Sequence, residues 1–92
     1  LWSIWCQENQ LTSLDVSANS NLLGLRCQDN QLTYLNINNG HNWAMIELYA
    51  TNNPALTCIQ VDDDVWSTAN WTNIDAAASF SLDCNYIYFI QR

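Results

Sequence analysis

Ninety-two residues suffice for one domain, near the lower limit of what folds without covalent staples. An apolar fraction of 49% is globular rather than disordered, while nine acidic residues, two arginines and no lysine leave a net charge of -7. Such a surface repels phosphate backbones and lacks the basic attraction to anionic lipid, which argues against nucleic acid and membrane surfaces as partners.

The chain opens directly with Leu-Trp-Ser-Ile-Trp-Cys, with no signal-peptide pattern, so the expectation is a piece of a longer protein. No apolar run approaches the roughly 20 residues that would span a bilayer, so no membrane insertion is expected. A repeat follows at once. Cys6-Gln-Glu-Asn-Gln-Leu-Thr returns as Cys27-Gln-Asp-Asn-Gln-Leu-Thr, 21 positions on. The unit places Leu1, Ile4, Cys6, Asn9 and Leu11 in equivalence with Leu22, Leu25, Cys27, Asn30 and Leu32. A looser third copy aligns Met45, Leu48, Ala50, Asn53 and Leu56 after a two-residue expansion around 40–43 and a one-residue expansion at Pro54.

A fixed period near 20 residues predicts a solenoid, because one unit cannot bury its apolar side alone whereas stacked units share a core. Residues 1–61 supply about three coils. Strand alternation sends Ile4, Cys6, Leu25 and Cys27 inward and Trp5, Gln7, Arg26 and Gln28 outward. The second half of each unit likewise turns Leu14, Val16, Leu35, Ile37, Ile59 and Val61 inward. Both halves are therefore expected as short parallel strands. Asn9, Asn30 and Asn53 fall where the chain turns, and an inward amide there satisfies backbone groups that would otherwise be buried unpaired.

Cys6 and Cys27 occupy inward slots of successive units, where a free cysteine acts as a small hydrophobe. Adjacent parallel strands rarely offer good disulfide geometry, so both are read as buried thiols. Cys58 instead stands at an outward position, and Cys84 ends the segment that follows. A Cys58–Cys84 bridge would pin residues 62–84 to the last coil and requires an oxidising, extracytoplasmic compartment. Asp62, Asp63 and Asp64 lack the spacing of a calcium loop and read as a turn, with one aspartate capping a helical stretch at 65–70. Asp75, before three alanines, likewise reads as a helix N-cap. Trp71, inside the sequence Asn70-Trp71-Thr72, reads as a core residue of this segment. Residues 85–92 form an apolar, strand-like tail.

The motif LxxLxCxxN followed by LTxLDVSxN resembles the short, nested leucine-rich repeats of secreted bacterial proteins. The stretch from Asn53 to Cys84 looks like the C-terminal cap that closes such arrays in Bacteroidetes proteins. The resemblance implies a β-rich leucine-rich-repeat solenoid with a small cap containing helical turns. It also implies a secreted or surface-exposed interaction domain, and it supplies no catalytic residues.

Aligned across coils, the outward positions form rows: Trp5, Arg26 and Tyr49; Gln7, Gln28 and Thr51; Glu8, Asp29 and Asn52. Aromatic and guanidinium groups on a rigid face are what binding hot spots are made of, and amides add hydrogen bonds. The candidate site is therefore Trp5, Gln7, Arg26, Gln28, Tyr49 and Thr51, with a protein or a glycan as partner. His41 and the scattered carboxylates make no nucleophile–base–orienter set, so no enzyme, cofactor or metal is expected. A competing expectation is structural. The apolar end formed by Leu1, Ile4, Cys6, Leu11 and Leu14, with the tail at 86–90, would drive head-to-tail self-association into oligomers or filaments.

Overall fold

Among the described residues, six three-residue strands alternate between two parallel sheets and a seventh adds to the second sheet. The computed structural model describes residues 2–84. In chain order these hold β1 (Ser3–Trp5), β2 (Ser13–Asp15), β3 (Gly24–Arg26), β4 (Tyr34–Asn36), β5 (Glu47–Tyr49), β6 (Cys58–Gln60), helix α1 (Asp64–Asn70) and β7 (Ser79–Ser81). One sheet has the order β1-β3-β5 and the other β2-β4-β6-β7. Leu1 and the tail at 85–92, expected as an apolar terminus and a strand, lie outside the described residues.

Register follows the repeat. Ile4 pairs with Leu25 and Leu14 with Leu35, each 21 positions on. The expansions of the third unit then shift Leu25 onto Leu48, 23 on, and Leu35 onto Ile59, 24 on. The first two extra residues fall at a 3-10 turn, Asn42–Ala44, and the third falls after β5, in the stretch that contains Pro54. The middle residue of each strand faces the core between the sheets: Leu25, Leu35, Leu48 and Ile59 are buried, and Cys27, Val16, Ile37 and Val61 join them. Ile4, Cys6, Leu11 and Leu14 pack on the same core but are only partly buried.

Asparagine holds the turns. The Asn30 amide donates to the carbonyls of Cys6 and Cys27, and its oxygen accepts from the Leu11 N–H. Asn53 repeats this one unit later, donating to Cys27 and Ala50 and accepting from Leu32. Both are buried, whereas the equivalent Asn9 is exposed. Just before each asparagine, Glu8, Asp29 and Asn52 adopt a left-handed backbone with φ near 60°. Asn and Asp tolerate that region better than other non-glycine residues, which suits the second and third units more than the first. The Glu8 N–H donates to Gln28 O, and the Asp29 N–H to Thr51 O.

The end of this ladder corrects one expectation. Asp75 does not cap a helix. Its two carboxylate oxygens accept from the N–H groups of Asn52 and Asn53, at 2.8 Å each, the first in place of the carbonyl that the next unit supplies to Glu8 and Asp29. The alanines after it form a tight turn, with the Ala78 N–H donating to Asp75 O. Asp63 does cap α1, accepting from the Val65 and Trp66 N–H groups, as the sequence leads one to expect. Asp62 instead accepts from Gly40 and Asn42. The rings of Trp66, Trp71 and Phe80 pack at 5.3 and 6.0 Å between centroids, and Trp71 and Phe80 are buried with the core.

Cys58 and Cys84 are bonded, with Cα atoms 5.8 Å apart, while Cys6 and Cys27 are free thiols. The outward register of Cys58, beside Ser79 on β7, leaves it accessible to the returning chain. Burial pushes the Cys27 thiol up to about 12, and the neighbouring Cys6 thiol adds to the shift. Among the described residues no helix is long and apolar enough to cross a membrane.

Candidate functional site

Parallel pairing of β1, β3 and β5 places Trp5 beside Arg26 and Arg26 beside Tyr49. The guanidinium carbon lies 4.3 Å from the centroid of Trp5 and 5.1 Å from that of Tyr49, so the cation sits between two aromatic faces. Each contact is a cation–π attraction. The row read from the sequence is thus a physical stack, with Trp5 still 62% exposed at its outer end.

Glu47 completes it. Its carboxylate accepts from Arg26 Nε at 2.8 Å and from Nη2 at 3.3 Å, a two-point grip that fixes the plane of the guanidinium. This contact raises the Arg26 pKa further, chiefly through the hydrogen bond to Glu47. Gly24 makes the approach possible. It lies between Ser3 and Glu47 in the register, and a Cβ there would come within 3.1 Å of the Glu47 Cγ and 3.2 Å of the Ser3 hydroxyl. Sequence reasoning missed Glu47. The signal was available one outward step earlier on each strand, in the row Ser3, Gly24 and Glu47, but it was obscured by the irregular third unit.

The amide row behaves differently. Gln7, Gln28 and Thr51 are half-buried, and the Oε1 atoms of both glutamines are buried without a hydrogen-bond partner among the described residues. They therefore offer less hydrogen-bonding capacity to solvent than alternation alone implies. In the next row, Asn52 donates from its amide to the Asp29 carboxylate, and Glu8 is the exposed acid of that row.

A further exposed row lies at the strand starts. The Leu23 N–H donates to Trp2 O and the Ile46 N–H to Leu23 O, aligning Trp2, Leu23 and Ile46, all substantially exposed. Trp43 projects nearby, its ring 6.0 Å from that of His41. In chemical terms the outer face of this sheet offers flat aromatic surface, apolar side chains and one paired cation.

The other candidates are committed to the fold. Asp62, Asp63 and Asp75 spend their carboxylates on backbone N–H groups, and among the described residues no three His, Cys, Asp or Glu side chains are grouped as a metal site would group them. No family model, no curated protein and no solved structure matches the chain.

Proposed function

We propose that the chain is a right-handed leucine-rich-repeat solenoid acting as a non-enzymatic interaction module. In this reading it is secreted or displayed on a cell surface and binds a protein or glycan through the outer face of β1, β3 and β5. The observation that carries the reading is the Trp5–Arg26–Tyr49 stack, gripped by Glu47 and open to solvent at Trp5. Side chains already ordered by stacking and pairing lose little freedom on binding, which is what makes aromatic and arginine anchors effective. The Cys58–Cys84 bridge suits an oxidising compartment outside the cytoplasm.

The test is mutational. Trp5→Ala or Tyr49→Ala weakens partner binding by about 1–3 kcal/mol while leaving the unfolding midpoint near that of the parent. Equal losses from Thr12→Ala and Thr33→Ala, which lie elsewhere, would move the site.

A second reading is structural self-assembly. It is favoured by β1 and β2, which are edge strands of their sheets among the described residues, with Ile4, Leu11 and Leu14 only partly buried beside them. Light scattering over a concentration series checks it. Association abolished by Ile4→Glu supports assembly through this end, and a monomer at high concentration refutes it.

A further inference from the structure

Trp2 borders two neighbouring hollows at the corner where the chain enters β1 and β3. One, of about 340 Å³, is lined by Trp2, Ser3 and Ile4 and by the loop from Ala18 to Leu22. The other, of about 280 Å³, lies between Trp2, the same loop, Leu23, His41 and Ala44. Together they reach the size of a small-molecule cleft. Trp2 is 58% exposed.

The lining chemistry is selective. In a chain with nine acidic residues, no Asp, Glu, Lys or Arg among the described residues lines either hollow. The polar groups present are short amides and hydroxyls and, in the second hollow, the His41 imidazole. The side chains of Ser20 and Asn21 make no hydrogen bond among the described residues, while the backbone beneath them is held by Leu22 N–H to Asn19 O and Leu23 N–H to Trp2 O. A charged ligand would find no carboxylate, ammonium or guanidinium among these lining residues. A wholly apolar one would strip water from these amides and hydroxyls without replacing its hydrogen bonds. A neutral, polyhydroxylated ring meets both demands, stacking its C–H face on an indole and exchanging hydrogen bonds with Ser20 and Asn21.

We propose that this corner is a binding site for a neutral oligosaccharide, with Trp2 as the stacking platform and Ser20 and Asn21 as hydrogen-bonding partners. Two hollows sharing Trp2 call for at least two linked sugar rings. The site is separate from the Trp5–Arg26–Tyr49 row and does not depend on it.

The experiment is calorimetric titration of the 92-residue chain with cellohexaose, laminarihexaose, mannohexaose and chitohexaose, alongside their monosaccharides and a hexagalacturonate. The expected result is that at least one neutral hexaose binds, about tenfold or more tighter than its monosaccharide, and that the hexagalacturonate does not. Trp2→Ala or Asn21→Ala then weakens that binding by about tenfold, a change equivalent to about 1.4 kcal/mol, while Val65→Ala, at an exposed position of α1, leaves it unchanged. Silence from all four neutral hexaoses overturns the proposal, as does equal binding of the hexagalacturonate. Loss of binding in Trp5→Ala with retention in Trp2→Ala overturns it too, and in that case the strand-face reading stands alone.

Discussion

Replacing the three equivalent asparagines one at a time separates a structural ladder from a set of polar turns. Asn53→Ala removes an amide shared among the carbonyls of Cys27, Ala50 and Thr51, at 3.0–3.3 Å, and an acceptor for the Leu32 N–H at 3.2 Å. Asn53 is 0% exposed, so water does not readily replace these partners. Each lost bond costs about 0.5–1.5 kcal/mol, and a buried group left unpaired about 1–3 kcal/mol, so the sum is about 3–5 kcal/mol. A domain of this size has about 5–14 kcal/mol of total stability, which makes the loss a large fraction of it. Asn30→Ala removes an equivalent set from a slightly more open site and costs about 2–4 kcal/mol. Asn9 is exposed and bonds only the Cys6 and Gln7 carbonyls, so Asn9→Ala costs at most about 1 kcal/mol. Equilibrium urea unfolding, followed by tryptophan fluorescence, gives the three values. Losses that are equal, or largest at Asn9, would refute the argument that these amides replace backbone partners inside the core.

Removing the disulfide with Cys58→Ser and Cys84→Ser destabilises the chain by about 3.5 kcal/mol, the loop-entropy value for a 26-residue separation, and a urea midpoint unchanged from the parent contradicts this. Asp75→Ala deprives the Asn52 and Asn53 N–H groups of a charged acceptor and costs about 2 kcal/mol. Hydrogen exchange then accelerates at those two amides first, and unaltered protection there counts against the role given to Asp75. Because burial pushes the Cys27 thiol up to about 12, the folded state keeps a proton that the unfolded chain releases near pH 8.5. Its contribution is complete below that pH and is lost as pH rises towards 12, at up to about 1.4 kcal/mol per unit. Cys27→Ala therefore loses less stability than the parent between pH 8 and pH 11 in parallel urea series, and parallel declines refute the assignment.

What the sequence disclosed were the features that recur. Ile4, Leu25 and Leu48 announce one sheet, and Leu14, Leu35 and Ile59 the other, because each repetition of an alternating triplet reports the same register. Cys58 stood out by breaking the inward cysteine pattern, and its outward register is what allows it to meet Cys84. Features that occur once were hidden. A carboxylate before three alanines satisfies the local rule for a helix cap, but the partners of Asp75 lie 22 and 23 residues upstream, where local reasoning does not reach. Strand β7 has a single apolar residue, Phe80, and its only sequence signal is the 21-residue offset of Ser79 from Cys58. Glu47 belongs to a row whose other members, Ser3 and Gly24, carry no obvious chemistry, so nothing marked it until the glycine was seen to admit its side chain beside Arg26. Trp2 shares its parity with the inward Ile4 yet is exposed, since it sits at the corner before β1 rather than within the pleat.

The claim that the outer face of β1, β3 and β5 is the binding surface is tested most directly by mapping amide chemical-shift changes. The probe is the tightest-binding member of a panel of extracellular proteins. The account predicts that the largest changes fall on Trp5, Arg26, Glu47 and Tyr49, whose side chains form one stack on neighbouring strands. Changes concentrated on Ser13, Tyr34 and Asn36, on the outer face of the other sheet, would contradict it.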